Sequence, residues 1–504
     1  VDRYVARRAA RASFVLLQNR GNALFLERVN TLAVIGPNAD VAQIMGGGSA
    51  RVPTHPIVTP LDALRARLAD VEIVHERGCT NHKRIPALDA GRCAQPPVIE
   101  YYAGREFAGE PVLVEDAQRA WFSWMGPVGG GVPEDFSARV RATIVPPESG
   151  GWTFSVVQAG RARLYFEGDL LLDNWNPTSH SDAFYGLGSE ELTATVELVA
   201  GLRYEVVVEA VPAAPAFGGL GVGLLAPTPD DMFDRAVAVA RRADAVLCIV
   251  GTDGEWECEG QDRESMKLPG AQDDLVRAVA AVSGRSIVVV NAAAPVTMPW
   301  ADEVDAILQC WFAGEEWANA LADVVSGDAS PSGKLPTTFP MRLEDTPAFT
   351  NYPGEHGTVL YGERGFVGYR WYDARGIEPR FCFGHGLSYT TFEYGQPTTT
   401  DQALSLAIRN SGSYRGAEVV QCYVAPLDPR VQRPPQELKA YAKVELDPGE
   451  ERTVKLTLDD RAFAHWDAGE HDWIVAPGEY ELRLGSSSRD IRQRVVISVE
   501  PKEG

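Results

Sequence analysis

The sequence predicts a multidomain protein in which an α/β domain with an open, mostly parallel sheet is interrupted by an all-β insert and followed by an all-β sandwich. Three observations support this fold class. Apolar runs alternate with amphipathic helical stretches over 1–91 and again over 230–388, as in parallel sheets that are covered on both faces. Short alternating strands separated by Gly and Pro fill 92–229. A second series of short strands fills 389–504.

The composition is that of a globular protein with an acidic surface. The 504 residues correspond to roughly three domains of ordinary size. Hydrophobic residues make up 45% and charged residues 23%, which excludes disorder along the whole chain. No stretch approaches about 18 consecutive apolar residues, so no membrane-spanning helix is predicted. The net charge of −22 disfavours nucleic acid and anionic membranes as partners and is compatible with a neutral ligand such as a sugar.

The first segment, 1–91, has a β-α-β pattern. Residues 2–18 are predicted to form one amphipathic helix, and the apolar run Leu32–Ile35 is predicted to form a strand that ends in a Gly-Pro-Asn turn. A helix around Leu61–Leu68 and a strand at Val71–Val74 follow.

The rest of the chain alternates between all-β and α/β sequence patterns. In the insert, Ala138–Val145, Leu192–Leu198 and Tyr204–Val211 predict strands of a sandwich or barrel. The α/β pattern then returns with these helices and strands: helix Met232–Ala243, strand Ala245–Val250, helix Ala271–Val282, strand Ser286–Asn291, strand Ala306–Trp311 and helix Ala318–Val325. About seven short strands after Tyr389 favour an immunoglobulin-like or fibronectin-like sandwich, with these segments: Leu404–Arg409, Glu418–Ala425, Arg452–Leu458 and Gly478–Leu484.

The cysteines and histidines predict neither a disulfide scaffold nor a metal site. Seven cysteines are scattered without a Cys-x-x-Cys pair, and the eight histidines lack a paired spacing. Cys248 and Cys310 lie in apolar runs and are interpreted as buried apolar side chains, whereas Cys79 and Cys93 are a candidate bridge. This usage favours an intracellular, reduced compartment. No cofactor is predicted, because the glycines at 46–48 match neither GxGxxG nor GxxxxGK.

Three glutamates alternate in the segment that follows the predicted strand Ala245–Val250: Glu255, Glu257 and Glu259. Ligand sites of open α/β sheets lie beyond the carboxyl ends of the strands. Neighbouring carboxylates raise the pKa of one of their number and so make it a proton donor. A solvated acidic loop is the alternative structural interpretation.

Ordered motifs resemble those of a known family. The run WECEGQDR at Trp256–Arg263, followed by Leu268–Gly270, resembles the W-E-x-E-G-x-D-R…L-P-G stretch of glycoside hydrolase family 3. Ala9–Asn19 resembles the helix that follows the catalytic barrel of that family. Further segments resemble its other motifs in the same order: Ile35–Asp40, Gly46–Ala50, Ser332–Pro340 and Phe383–Phe392.

The resemblance implies a retaining β-glucosidase mechanism with a nucleophilic Asp and a general acid/base, roughly 5 Å apart. The family's acid/base is the glutamate before glycine in E-G-x-D-R, which is Glu259 here. Glu257 is the nearest alternative and Glu255 a weaker one. For Asp262 and Arg263 the resemblance implies an ion pair that orients the loop.

The insert and the C-terminal part also resemble known domains. Gly151–Phe154, Leu164–Asp169 and Asp173–Trp175 resemble a PA14 domain, which a subset of these β-glucosidases carries at this position. The resulting domain prediction is an α/β sandwich domain at 1–91 and 230–388, a PA14-like insert at 92–229 and a fibronectin III-like sandwich at 389–504.

The sequence departs from the family at its catalytic barrel. The nucleophilic Asp lies on an N-terminal (β/α)₈ barrel, and the chain contains neither a barrel nor the S-D-W type of motif that carries this Asp. We therefore expect the chain to be the C-terminal part of an enzyme whose barrel polypeptide is its partner. The expected substrate is a β-glucoside or oligosaccharide, with a β-xyloside or β-galactoside as alternatives. The sequence leaves homo-oligomerisation open.

Two further residues are candidate substrate contacts. Ser49, in the loop Gly46–Ala50, matches a loop that reaches the sugar in PA14-bearing relatives, although a plain glycine turn is an equal alternative. Phe184 lies in the aromatic tip of the insert, Ala183–Tyr185, and is predicted to line the aglycone side of the substrate pocket. Local packing is the alternative role. A non-catalytic carbohydrate-binding or interaction module remains the alternative for the whole chain.

Overall fold

The computed structural model describes residues 2–24, 26, 29–260, 262–400 and 403–500. The chain divides into two compact units. The sheet unit comprises Val1–Asn81, Asp231–Glu257 and Glu264–Gly504. The insert unit comprises His82–Asp230 and Cys258–Arg263. Within the described residues, no helix is long and apolar enough to cross a membrane.

The first part of the sheet unit contains two helices and three strands of its central sheet. These elements are α1 (Asp2–Ser13), β1 (Val15–Asn19), β2 (Thr31–Ile35), α2 (Pro60–Arg67) and β3 (Glu72–Glu76). Thr59 caps α2, because its hydroxyl accepts the Asp62 amide and Pro60 occupies the first turn.

The insert unit is built almost entirely from antiparallel strands. Its elements are β4 (Val98–Ala103), β5 (Leu113–Asp116), β6 (Trp121–Met125), β7 (Phe136–Ile144), β8 (Gly150–Phe166), β9 (Asp169–Asn174), β10 (His180–Ser181), α3 (Ala183–Gly186), β11 (Gly188–Ser189), β12 (Leu192–Leu198), β13 (Tyr204–Pro212) and β14 (Phe217–Leu225).

The long strand β8 passes from one layer of the insert to the other. Its first part pairs with β12 and β14, and the part from Gly160 onward pairs with β13 and β9. Gly160 has φ +141, and a Cβ there would lie 2.2 Å from the Val211 carbonyl oxygen. Glycine is therefore required where the strand changes layer. Trp152, Phe154 and Leu164 of β8 pack in the common core.

The sheet unit resumes after the insert with further strands and helices. These are α4 (Met232–Ala240), β15 (Ala245–Gly251), α5 (Gln272–Ala280), β16 (Ser286–Asn291), β17 (Ala306–Gln309), α6 (Trp317–Val325) and α7 (Tyr369–Arg375). The strand order is β1-β17-β16-β15-β2-β3, and every neighbouring pair is parallel except β1 with β17.

Both faces of this sheet are covered by apolar layers. All residues of β15 and β16 are buried. Alternate residues enter different cores, with Leu247 and Ile249 on the side of Trp317, and Val246 and Val250 on the side of Trp300. Burial on both faces accounts for the continuous apolar runs from which the parallel sheet was predicted.

The helix predicted over residues 2–18 is wrong beyond residue 13. The helix ends at Ser13, and Val15–Asn19 forms the antiparallel edge strand β1, in which Val15 lies opposite Gln309. Val15 and Leu16 are fully buried and enter opposite cores of the sheet. A strand places successive side chains on opposite faces, so it can bury both of them between two layers.

The C-terminal part is a β-sandwich. Its strands are β18 (Phe392–Tyr394), β19 (Thr398–Thr400), β20 (Ala403–Asn410), β21 (Gly416–Pro426), β22 (Glu437–Leu446), β23 (Glu451–Thr457), β24 (Ala464–Asp467), β25 (Asp472–Val475), β26 (Gly478–Gly485) and β27 (Ile491–Val499). One sheet has the order β18-β20-β19 with β23 on β20, the other β22-β21-β26-β27. Leu406, Ile408, Cys422 and Leu482 share the core between them.

The candidate bridge between Cys79 and Cys93 does not form. Cys79 and Cys93 both lie among the described residues as thiols without a disulfide. Cys79 is buried among apolar side chains of the sheet unit, and burial raises the pKa of its thiol to about 12. The Cys93 thiol in the insert unit instead donates to the Asp89 carbonyl oxygen at 3.4 Å. Cys248 and Cys310 are buried, as predicted.

Candidate active site

Buried side-chain amides link the carboxyl ends of the central strands. Asn38, after β2, donates to the Thr252 carbonyl oxygen and to Asn291 Oδ1, both at 3.1 Å. Asn291, the last residue of β16, donates to the carbonyl oxygens of Gln43 at 3.1 Å and Trp311 at 2.6 Å. A satisfied network in a buried setting holds these loops in one arrangement.

The acidic loop, which carries Glu255, Glu257 and Glu259, begins after Gly251, the last residue of β15. The Gly251 amide donates to Gln272 Oε1 at 2.8 Å, and Gln272 Nε2 donates back to the Gly251 carbonyl oxygen at 2.9 Å. A Cβ on Gly251 would lie 1.9 Å from the Asn291 carbonyl oxygen, so no other residue fits without moving a strand. The path of the following loop is thereby set by the sheet.

Glu257 joins the acidic loop to two neighbouring segments. Glu257 Oε1 accepts two hydrogen bonds, one from the Thr252 hydroxyl at 2.9 Å and one from the Ala294 backbone amide at 3.4 Å. Its carbonyl oxygen accepts the Gly47 amide at 2.9 Å. A Cβ on Gly46 would lie 2.8 Å from that carbonyl oxygen, so the glycine run allows the two loops to approach each other.

The start of the loop is a turn organised by Asp253. Its Oδ1 accepts the backbone amides of Glu255 at 2.8 Å and Trp256 at 3.3 Å. Burial raises the pKa of this carboxyl despite those two bonds. The Trp256 indole donates to the Asn81 carbonyl oxygen at 2.7 Å. Glu255 and Glu257 are half-buried in this turn.

Glu259 lies in the insert unit and is exposed. The next residue, Gly260, has φ +82, and a Cβ there would lie 3.0 Å from Cδ1 of Tyr185. The Tyr185 ring therefore lies against the backbone directly after Glu259, and 47% of the residue is exposed.

Phe184 is held inside the insert by local packing. Its ring stacks on that of Trp121, with centroids 5.2 Å apart and planes at 25°. A Cβ on Gly219 would lie 2.3 Å from Cδ1 of Phe184, so glycine makes room for the ring. Phe184 and Tyr185 both have left-handed backbone angles, φ 49 and 62. The structure thus brings Tyr185 of the predicted tip to Gly260, whereas Phe184 packs on Trp121.

Ser49 lies in a short 3₁₀ turn, Gly48–Ala50, and is exposed. Gly48 has φ +61, which explains a glycine at this position. The turn follows the two glycines that contact the acidic loop, so Ser49 and Glu257 belong to the same group of loops in the sheet unit.

The ion pair of Asp40 with Arg77 was not predicted from the sequence. Arg77 donates to Asp40 Oδ2 at 2.7 Å, and His75 Nε2 lies 3.7 Å from the same oxygen. Burial acts to raise the pKa of Asp40, but the interactions with His75 and Arg77 outweigh it and lower the pKa to about 2. In the described residues, no group of three or more His, Cys, Asp or Glu side chains is arranged to hold a metal ion.

The amides of Asn38, Asn291 and Gln272 were also missed. One signal for them was available, because Asn291 is a polar residue at the end of an otherwise apolar strand run. A buried polar group of this kind requires partners, and its position at the carboxyl end of β16 indicates the loops that supply them.

Comparison with family models decides the classification. Residues 14–389 match the model of the glycosyl hydrolase family 3 C-terminal domain, and residues 418–488 match that of the fibronectin type III-like domain. The chain belongs to glycoside hydrolase family 3. The segments that surround the acidic loop in this family 3 chain all lie within the matched range.

Relatives of the family 3 chain are β-glucosidases that are longer than it. A β-glucosidase of Rhizobium radiobacter is 39% identical over 98% of this chain and 62% of its own length. The crystal structure of a β-glucosidase from Kluyveromyces marxianus has a TM-score of 0.94 at 34% identity and covers 99% of this chain and 62% of its own. A β-glucosidase from Streptomyces venezuelae, solved in complex with D-glucose, has a TM-score of 0.71 at 30% identity and covers 99% of this chain and 60% of its own. The chain therefore spans less than two thirds of the length of these relatives.

Proposed function

We propose that this chain is the C-terminal portion of a retaining β-glucosidase and supplies its acid/base glutamate. The reaction is the hydrolysis of terminal non-reducing β-D-glucosyl residues. The observation that carries the proposal is the acidic loop itself, which continues from the carboxyl end of a buried parallel strand and is braced by the glycine run. The relatives of this chain that are named β-glucosidases support a β-glucoside as the substrate class.

Glu259 is the proposed acid/base, and the contacts of Glu257 support that choice. Glu257 Oε1 accepts hydrogen bonds from the Thr252 hydroxyl and the Ala294 amide, and the Glu257 carbonyl oxygen accepts one from the Gly47 amide. A carboxylate with these contacts serves to position the loop. Glu259 is exposed, as a residue must be to reach a glycosidic oxygen.

The nucleophilic aspartate is proposed to lie on a (β/α)₈ barrel polypeptide. Retention of configuration requires a second carboxyl roughly 5 Å from the acid/base. The relatives are longer than this chain, so part of their length has no counterpart in it. That unmatched length is the proposed source of the barrel and of most of the ring-binding subsite.

An exposed apolar segment supports a partner of this kind. Large apolar side chains protrude between residues 349 and 367, with Leu360 69% and Tyr361 80% exposed. The others are Phe349, Tyr352, Val359 and Val367. A concentration of exposed apolar side chains marks an interaction surface. We propose that the barrel polypeptide covers it.

The insert is proposed to be a PA14-type domain whose tip borders the aglycone side. The contact of Tyr185 with Gly260 supports this role for the tip. Phe184 then contributes by holding the tip in place through Trp121. Ser49 is proposed to contact the sugar from the glycine loop.

The proposal is tested in a completed enzyme, made by joining this chain to the part of the Rhizobium radiobacter β-glucosidase that it does not match. Glu259→Ala should reduce hydrolysis of glucosides with poor leaving groups by about 100- to 10,000-fold, because these need protonation. Activated aryl glucosides should lose far less. Glu257→Ala is the matched control and should lower both rates similarly. Equal losses for both substrates in Glu259→Ala would assign the acid/base role elsewhere.

A further inference from the structure

A cavity of about 250 Å³ opens in the insert unit, next to the bend of β8. Its polar lining comes from Arg105, Gln158, Arg161, His180 and Ser189. At roughly 30 Å³ for each water, it has room for about eight waters. This is the size of a monosaccharide and lies just below the range of roughly 300–1,000 Å³ that is typical of pockets for drug-sized ligands.

The charge of the cavity is opposite to that of the chain. The chain has 69 acidic and 47 basic residues, yet no Asp or Glu is among the described residues that line the cavity. Arg105 donates to Asp135 at 3.1 Å and to the Pro212 carbonyl oxygen at 2.7 Å. Arg161 forms no ion pair with a described carboxylate, and its guanidinium carbon lies 5.9 Å from the centroid of the Trp175 ring. A guanidinium at the rim of a cavity recognises a carboxylate or phosphate.

Gln158 adds an unsatisfied acceptor to the same cavity. The residue is 1% exposed, and among the described residues its Oε1 has no hydrogen-bond partner. Its Nε2 donates to the Asn174 carbonyl oxygen at 3.1 Å, and its backbone amide donates to Ser189 Oγ at 3.2 Å. The Nε2 bond orients the side-chain amide, so its oxygen is left to accept from an O–H donor. An unpaired buried acceptor is costly, and a ligand hydroxyl would satisfy it.

We propose that this cavity binds a hydroxylated anion of monosaccharide size, a hexuronate or a hexose phosphate. Arg161 holds the anionic group, and Gln158 Oε1 accepts a hydroxyl of the ring. The cavity lies within the insert unit and uses none of the residues assigned to the glycosidase reaction. Binding here is therefore independent of whether the chain takes part in hydrolysis.

Isothermal titration calorimetry of the full chain with D-glucuronate, D-glucose monophosphate and D-glucose tests the site. We expect at least one of the two anions to bind, and the tighter one identifies the anionic group. Neutral D-glucose should bind at least about tenfold more weakly, because it lacks the charge-assisted hydrogen bonds to Arg161.

Two variants on one strand separate the site from its surroundings. Arg161→Ala should weaken binding of the anion at least about tenfold. Arg163→Ala is the matched control, because Arg163 lies 4.6 Å from the centroid of the same Trp175 ring but does not line the cavity. It should keep the affinity of the unmodified chain. Absence of binding by both anions, equal binding of D-glucose, or unchanged affinity in Arg161→Ala would overturn the proposal.

Discussion

Removal of the Glu257 carboxylate tests whether this residue braces the acidic loop. In Glu257→Ala, the Thr252 hydroxyl loses its acceptor at 2.9 Å and the Ala294 amide loses a longer one at 3.4 Å. Thr252 is completely buried, so water cannot replace the lost partner. The loop should therefore open more often in the variant.

The size of the effect follows from the number and burial of these bonds. An unsatisfied buried polar group costs about 1–3 kcal/mol. Each 1.4 kcal/mol is a factor of ten, so opening should become about 5 to 150 times more frequent. Glu257→Gln keeps an acceptor oxygen and should remain nearer the lower limit.

Hydrogen–deuterium exchange of the backbone amides over 251–257 measures this opening. Exchange in Glu257→Ala should accelerate by about 5- to 150-fold, while helices α4 and α5 keep their rates. Glu264→Ala, at an exposed position of the same unit, is the matched control and should change nothing. If Glu257→Ala exchanges at the rate of Glu264→Ala, the carboxylate does not brace the loop.

Two further predictions concern packing and pH. Gly219→Ala places a Cβ 2.3 Å from Cδ1 of Phe184 and should displace the Phe184 ring from Trp121. The variant should destabilise the insert by about 1–3 kcal/mol, which a lower thermal unfolding midpoint would show. An unchanged midpoint would contradict the described packing. The pKa of Asp40 is about 2 in the folded chain against an ordinary value of 3.8, so the stability it contributes is complete above about pH 4 and is lost as the pH falls towards 2. Asp40→Asn should remove that part of the pH dependence in acid unfolding, and an identical acid profile would show that the pair with Arg77 contributes nothing.

The parallel sheet could be predicted because its signal is local and repeated. The runs that became β15 and β16 are apolar except for Ser286 and Asn291 at the two ends of β16, as burial on both faces favours. The same logic failed for Val15–Asn19, where an amphipathic pattern continues from α1 into a strand. Short apolar runs have no period that distinguishes helix from strand, and the partner strand β17 lies far along the chain.

The candidate site was predicted by motif and not by contact. Its glutamates were visible in the sequence, but the difference between Glu257 and Glu259 depends on Thr252, Ala294 and the glycine run. Likewise, left-handed angles at two consecutive aromatic residues determine that Phe184 packs inward and Tyr185 meets Gly260. Positive φ angles are rare in residues other than glycine, and no residue pattern at the tip predicts them.

The location of the nucleophile tests the central claim most directly. A fluorinated glucoside with an activated leaving group forms a glycosyl–enzyme that hydrolyses slowly enough to be digested and mapped by mass spectrometry. In the completed enzyme, we predict that the sugar is attached to an aspartate of the supplied barrel and that peptides of residues 1–504 carry none. The chain without the barrel should remain unlabelled and should not hydrolyse an aryl β-glucoside. A sugar bound to any residue of this chain, or hydrolysis by the chain alone, would contradict the account.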